Sequence, residues 1–139
     1  MGMKKLHLAI FLVALTLTGC MHGSSHFINP QVVQNITGVK FPKYKLVSAE
    51  NGTRSFNGDG SDRFTLEFKQ LPDDDFYTIL DQNQDFFKWT EDGRTTYSFE
   101  RIWGNGLPAP QGESDNDDYN FKVKIEKGAK EFYIVVTTW

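Results

Sequence analysis

Two segments of the sequence alternate apolar and polar side chains, and this pattern constrains the fold more than any other feature. Apolar residues occupy every second position of Arg63–Lys69 and of Phe121–Glu126. Because successive side chains of a strand point to opposite faces, both segments are predicted to be strands with one buried and one polar face. A third segment, Phe132–Thr138, has three consecutive β-branched residues at its centre, which is typical of a central, well-buried strand.

Three further strands are predicted, at Tyr44–Ala49, Phe86–Thr90 and Thr95–Trp103. The last two are expected to be joined by a turn at Asp92-Gly93, because this dipeptide tolerates the backbone angles of tight hairpins. The strand at Tyr44–Ala49 is expected to pair with the alternating segment that follows it, through a long or bulged connection.

Two short helices are predicted from their end signals. Asn29-Pro30 is typical of a helix start, and Gly38 fits the position just after the end of that helix. The acidic triplet Asp73–Asp75 precedes a second helical segment, and Asp73 is expected to cap it while the carboxylates face the positive end of the helix dipole. A metal site built from the three acids is the alternative. The buried stripe of this helix is expected to consist of Phe76, Ile79 and Leu80.

The order of these elements is helix, two strands, helix, four strands, which predicts an α+β fold. We expect a single domain with an antiparallel sheet of about five to six strands and two short helices packed on one face. Its 12 Phe, 5 Tyr and 3 Trp residues supply the apolar area for the core.

The N-terminus has the layout of a secretory signal. Lys4 and Lys5 precede the apolar run Leu6–Leu17, which at 12 residues is shorter than the roughly 20 that a membrane-spanning helix needs. The run ends in Leu17-Thr18-Gly19-Cys20, and Cys20 is the only cysteine of the chain. An aliphatic residue, two small residues and a cysteine at this distance resemble the lipobox of bacterial lipoproteins.

The resemblance implies that Cys20 receives a diacylglycerol by thioether linkage and that a signal peptidase cuts between Gly19 and Cys20. The new amino group of Cys20 is then acylated too, with fatty acids such as palmitate. One acyl chain holds a protein only marginally on a membrane, whereas two or three chains on one residue anchor it stably. An ordinary cleaved signal with a chance cysteine and an uncleaved anchor are the alternatives. The expected division is a signal peptide at 1–19, a lipidated N-terminus and tether at 20–27, and the domain at 28–139.

Residues after the cut bear on location and partners. In enterobacterial lipoproteins an Asp after the cysteine favours inner-membrane retention; Met21 stands there, so the resemblance implies the outer membrane, on its periplasmic side. Loss of Lys4 and Lys5 with the signal changes the formal net charge from −3 to −5. An acidic domain is a poor candidate for nucleic acid and gains no attraction to anionic lipid, so the lipid on Cys20 is the expected membrane contact.

The residue types of the folded part exclude several kinds of active site. The three histidines are His7, His22 and His26, all in the signal or the predicted tether. The domain therefore lacks the histidine or cysteine needed for a Ser-His-Asp, Cys-His or histidine-based zinc site. Carboxylate pairs of the kind that glycosidases use stay possible. No metal site, catalytic residue or cofactor is predicted.

The segment Trp103–Asp118 is predicted to be a long loop between two strands, and loops of this length in small domains are often functional. It mixes flexible glycines and stiff prolines with apolar and acidic groups. One interpretation is a binding loop in which Trp103 or Leu107 anchors a partner and the acids meet a basic surface. The other is that Trp103 ends a strand inside the core and the acids keep the loop soluble. The candidate binding residues are Trp103, Leu107, Asp115, Asp117 and Asp118.

These observations favour a non-enzymatic, lipid-anchored module of the bacterial cell envelope that binds another envelope protein, as an inhibitor, immunity factor or assembly accessory. A small-ligand-binding lipoprotein, with a pocket between sheet and helices, is one alternative. A carboxylate-based hydrolase is the other.

Overall fold

The computed structural model of the chain describes residues 23–52 and 60–138. The predicted signal peptide, Cys20 and the connection at 53–59 lie outside these ranges. The strands are β1 (Tyr44–Asn51), β2 (Gly60–Phe68), β3 (Phe86–Glu91), β4 (Arg94–Trp103), β5 (Tyr119–Glu126) and β6 (Glu131–Thr138). The α-helices are α1 (Pro30–Thr37) and α2 (Asp74–Gln82), and a 3-10 helix at Gly23–Ile28 precedes them.

The strands form one six-stranded antiparallel sheet in the order β1-β2-β6-β5-β4-β3. The predicted α+β fold is confirmed, and β6 is central, as its β-branched run indicates. The predicted pairing of β1 with β2 is present, with a register shift between Leu46 and Ser48, whereas the predicted long or bulged connection lies mostly outside the described residues. Asp92 and Gly93 both have positive φ, at 51° and 74°, and close the β3–β4 hairpin as predicted.

Both helices begin at the predicted caps. The Asn29 side chain accepts a hydrogen bond from Gln31 N at 2.9 Å, and Asp73 Oδ1 accepts one from Phe76 N at 3.1 Å. The prediction for the buried stripe of α2 was wrong at one position, because Tyr77 is buried and Ile79 is exposed. Tyr77 is held in the core because its hydroxyl accepts a hydrogen bond from Gly128 N at 3.0 Å and its ring stacks on Tyr97.

Aromatic rings fill the space between the helices and the sheet. Phe132 of β6 stacks on Phe68 with ring centroids 4.5 Å apart, and it also contacts Phe41 and Tyr44 at 5.5 and 5.2 Å. Phe76 of α2 packs edge-on against Phe68 and Phe41. These ring contacts form the core between the helices and the sheet.

Much of the segment predicted as a tether at 20–27 is folded onto the domain. Gly23–Ile28 forms the 3-10 helix, and its Phe27 is fully buried against Tyr119 and Trp103. Ser24 Oγ donates to the buried carboxylate of Asp62 on β2, which attaches the same helix to the sheet. The polar sequence Gly-Ser-Ser-His gives no sign of this packing. The apolar residue that follows it, Phe27, is buried by residues that are distant along the chain.

Polar contacts fix the edges of the core. The Tyr44 hydroxyl donates to Ile28 O at 2.6 Å, and burial raises the pKa of Tyr44 above its ordinary value. At the other side Asp81 of α2 accepts from Lys88 of β3 at 2.9 Å and from the Tyr97 hydroxyl at 2.8 Å. The hydrogen bond from Lys88, followed by the one from Tyr97, lowers the pKa of Asp81.

Candidate functional site

The predicted binding loop starts inside the core. Trp103 is 1% exposed and contacts Phe27 and Tyr119 with ring centroids 5.8 and 5.5 Å away. Of the two interpretations of Trp103, the structure therefore has the buried one, and this ring does not face a partner. Leu107 is 51% exposed and is the apolar side chain that the loop presents at its tip.

The rest of the loop is folded against the domain. Gly104 and Leu107 exchange backbone hydrogen bonds at 3.2 and 3.0 Å, which closes a tight turn. Asp115 Oδ1 accepts from Ala109 N at 2.8 Å, and Glu113 Oε1 lies 2.8 Å from His26 Nε2 of the 3-10 helix. The loop is thus a structured cap over one end of the sheet.

The acidic residues of the loop differ in their surroundings. Asp115 is engaged in the loop's own hydrogen bond, Asp117 is exposed, and Asp118 is half-buried beside Gly104. The Gly104–Leu107 turn and the Ala109–Asp115 hydrogen bond hold the segment around Leu107 beside Asp118 and Asp115, and the binding role of this loop stays a prediction. Within the described ranges no group of three or more His, Cys, Asp or Glu residues could hold a metal ion, Asp73–Asp75 included.

The close approach of Gly104 to Asp118 gives a test of this packing. A Cβ at Gly104 (φ 99°) would lie 2.7 Å from Asp118 Cα and 2.8 Å from Asp117 O, whereas a Cβ at Gly106 (φ 89°) meets nothing within 4 Å. Both positions favour glycine, so Gly106→Ala should cost about 1 kcal/mol of unfolding free energy. Gly104→Ala should cost at least about 1 kcal/mol more, because the loop must move. Urea unfolding measures both; equal losses would contradict a tightly packed loop.

A second candidate surface lies on the side of the sheet away from the helices, which we name the open face. The buried side chains of α1 and α2 all join the core on the opposite side. Strand registers place one row of outward side chains across five strands. From β2 to β3 this row is Thr65, Tyr133, Lys124, Ser98 and Phe87. Neither helix covers the row in the part of the chain that is described.

Exposed rings stand on the open face. Phe87 is 66% exposed on the edge strand β3, and its ring centroid lies 5.7 Å from that of half-buried Trp89. Tyr133 of the central strand is also half-buried. Aromatic side chains are enriched at protein–protein interfaces relative to the rest of the protein surface. Rings on an uncovered sheet face therefore indicate a binding surface.

Two cations lie over these rings. The guanidinium of Arg63 is 4.5 Å from the centroid of Tyr133, and Lys124 Nζ is 5.9 Å from that of Trp89. Such cation–aromatic contacts hold a charged side chain over a ring without neutralising it. The neighbouring cation Lys122 instead pairs with Glu100 at 3.4 Å.

The open face has two hollows of opposite charge. The first, which we name the cation hollow, has a volume of about 320 Å³, and its charged lining residues in the described part are three cations and one carboxylate. These are Arg63, Lys122, Lys124 and Glu100. The second, the acidic groove, has a volume of about 1010 Å³, and carboxylates outnumber cations in its lining. Lys124 and Tyr133 line both hollows.

Sequence reasoning missed this surface. The alternating pattern gives the outward residues of each strand, but it does not tell which strands are neighbours. The order β2-β6-β5 joins Arg63, Tyr133 and Lys124, which are separated along the chain. A count of outward aromatic residues, Phe87, Trp89 and Tyr133, is the one sequence signal that could have indicated it.

Neither a membrane-spanning helix nor a similarity to known proteins indicates a further site in the described residues. No helix within residues 23–52 and 60–138 combines the length and apolar character needed to cross a membrane. No protein-family model matches the sequence, and no curated protein or solved structure is significantly similar to it.

Proposed function

We propose that the protein is a lipid-anchored lipoprotein of the bacterial cell envelope, attached through Cys20, that binds another envelope protein without acting as an enzyme. The observation that carries the binding role is the open face: Phe87, Trp89 and Tyr133 present rings on a sheet surface that neither helix covers. The location rests on the lipobox at Leu17-Thr18-Gly19-Cys20. Outer-membrane attachment on the periplasmic side is part of the proposal.

Geometry favours the open face over the loop as the binding surface. Binding energy concentrates in a few aromatic or arginine side chains near the centre of an interface. The open face has Tyr133 with Arg63 at its centre, whereas the loop presents Leu107 and has its Trp103 in the core. The absence of histidine and cysteine after Phe27 supports binding rather than nucleophilic catalysis.

Affinity capture from envelope extract with the lipidated protein tests this function. Trp89→Ala combined with Tyr133→Ala should lower the yield of captured partner about tenfold or more, since removing interface hot spots costs at least 2 kcal/mol each. Ile79→Ala is the matched control, because Ile79 is an exposed apolar residue on α2, on the covered side of the sheet. Circular dichroism and melting curves show that each variant is folded.

A third variant separates the two surfaces. Leu107→Ser with Asp117→Asn changes the exposed part of the loop and leaves the hydrogen bonds of Asp115 and Glu113 in place. If this variant loses the partner and the open-face variant keeps it, the loop is the binding surface. If the wild type and all variants capture the same proteins, neither surface is the binding surface; if the wild type captures no protein, the protein-binding function is rejected.

A further inference from the structure

The cations of the open face differ in how their charge is compensated. Lys45 and Lys130 both pair with Glu67 at 3.8 and 3.5 Å, and Arg94 pairs with Glu126 at 3.7 Å. Lys122 pairs with Glu100. Arg63 and Lys124 contact aromatic rings instead, and no carboxylate of the described residues forms an ion pair with either. These two cations without an ion pair among the described residues both line the cation hollow.

The net charge of the cation hollow is opposite in sign to that of the whole chain. The whole sequence has a formal net charge of −3, yet the hollow collects three cations around one carboxylate. Like charges in one place repel each other, so their gathering is favourable when an anion is bound among them. Charge complementarity therefore points to a negatively charged occupant.

Shape and spacing select the kind of anion. The hollow is open to solvent, so it suits an extended chain more than an enclosed small molecule, and the carboxylates of the neighbouring acidic groove would confine an acidic chain to the cation hollow. Lys122 and Lys124 are alternate residues of one strand, which places them roughly 6.6 Å apart. Alternate carboxylates of an extended peptide have the same spacing. Arg63 lies in one row with Lys122 across β6, and Tyr133 lies on β6 between Arg63 and Lys124.

We propose that the cation hollow binds an extended acidic segment of a protein partner, with Arg63 and Lys124 as its carboxylate contacts and Tyr133 as the ring between them. This inference rests on the proposed protein-binding function and names its recognition chemistry. Guanidinium and ammonium groups donate charge-assisted hydrogen bonds to carboxylates, and Arg63 can do so with two parallel N–H groups.

A defined peptide tests the recognition chemistry. The probe is an acetylated and amidated eight-residue peptide that alternates Glu with Thr, and its matched control alternates Gln with Thr. The full chain with Cys20→Ser, labelled with 15N in nonionic detergent, is titrated with each peptide and followed by NMR. The Glu peptide should shift the amide signals of β2, β5 and β6 around Arg63, Lys124 and Tyr133, and the Gln peptide should bind at least tenfold more weakly. Added NaCl should weaken the binding.

Three variants locate the contacts. Arg63→Gln and Lys124→Gln should each raise the Kd of the Glu peptide about tenfold, which corresponds to about 1.4 kcal/mol. Lys130→Gln is the matched control, because Lys130 also lines the open face but pairs with Glu67, and its Kd should stay within about twofold of wild type. Equal effects of all three variants would mean nonspecific attraction and would overturn the proposal.

Two other outcomes would also overturn it. One is equal binding of the Glu and Gln peptides, or binding of neither. The other is binding to phosphatidylglycerol vesicles, and not to the peptide, in a manner abolished by Arg63→Gln and Lys124→Gln; the surface would then contact lipid headgroups. If the peptide fails while the Trp89→Ala, Tyr133→Ala variant still loses its captured partner, the acidic chemistry is wrong and the binding function stands.

Discussion

Replacing Phe132 by alanine should lower the free energy of unfolding by about 3–5 kcal/mol. Phe132 is fully buried on the central strand β6, where its ring stacks on Phe68 and contacts Tyr44 and Phe41. Three elements lose a partner at once, because these neighbours lie on β2, on β1 and in the segment before β1. Domains of this size have total stabilities of about 5–15 kcal/mol, so the loss is a large share. Urea unfolding followed by circular dichroism measures it.

Phe87→Ala is the matched control for this prediction. The chemical change is the same, but Phe87 is 66% exposed on the edge strand β3. Its removal should change the stability by no more than about 0.5 kcal/mol, as for most surface positions. A Phe132→Ala loss below about 1 kcal/mol, or a Phe87→Ala loss of similar size, would show that the ring stack at β6 is not the centre of the core.

The strands could be predicted because their burial is periodic along the chain. In β2 the alternation of Phe64, Leu66 and Phe68 with polar residues matches the buried and outward positions one for one. The two helices were predictable for a different reason: their caps, Asn29 and Asp73, are local signals that do not depend on the rest of the fold. Local periodicity and local capping therefore establish the elements.

Features that depend on contacts between distant segments could not be predicted. Ile79 and Tyr77 are both large side chains of α2 that could face the core. Only the contact of Tyr77 with Gly128, after β5, decides that Tyr77 is the buried one. Phe27 looks like the end of a polar tether, and only the presence of Trp103 and Tyr119 makes a pocket for it. In each case the deciding partner lies about 50 or more residues away along the chain.

The same dependence on distant contacts explains why the sequence pointed to the loop and not to the open face. The loop at 103–118 was distinctive in composition, and composition is local, so it attracted the prediction of function. The open face is distinctive only after β6 is inserted between β2 and β5, which brings Tyr133 between Arg63 and Lys124. A surface assembled from single outward residues of separate strands leaves little trace in any one segment. The strand order is thus the information that the sequence patterns lacked.

Replacing Cys20 by serine should abolish lipid attachment altogether. Serine lacks the thiol that would form the thioether, and the resemblance to the lipobox implies that cutting before residue 20 follows acylation. Each buried methylene contributes roughly 0.8 kcal/mol to membrane binding, so losing two or three acyl chains removes the stable anchor. Mass spectrometry of the purified protein should show an acylated N-terminal Cys20 in the wild type. The variant should show the uncut precursor mass without lipid.

Met21→Ser is the matched control, since it changes the next residue and leaves Leu17-Thr18-Gly19-Cys20 intact. It should be acylated and cut like the wild type. Mass, rather than sedimentation with membranes, is the deciding readout, because the uncut precursor keeps the apolar run Leu6–Leu17 and can itself associate with membranes. A wild-type protein that is cut at another position, or that has a free thiol at Cys20, would contradict lipid anchoring. The protein would then be secreted or held at the membrane by its N-terminal segment, and the open face would bind the partner in that form.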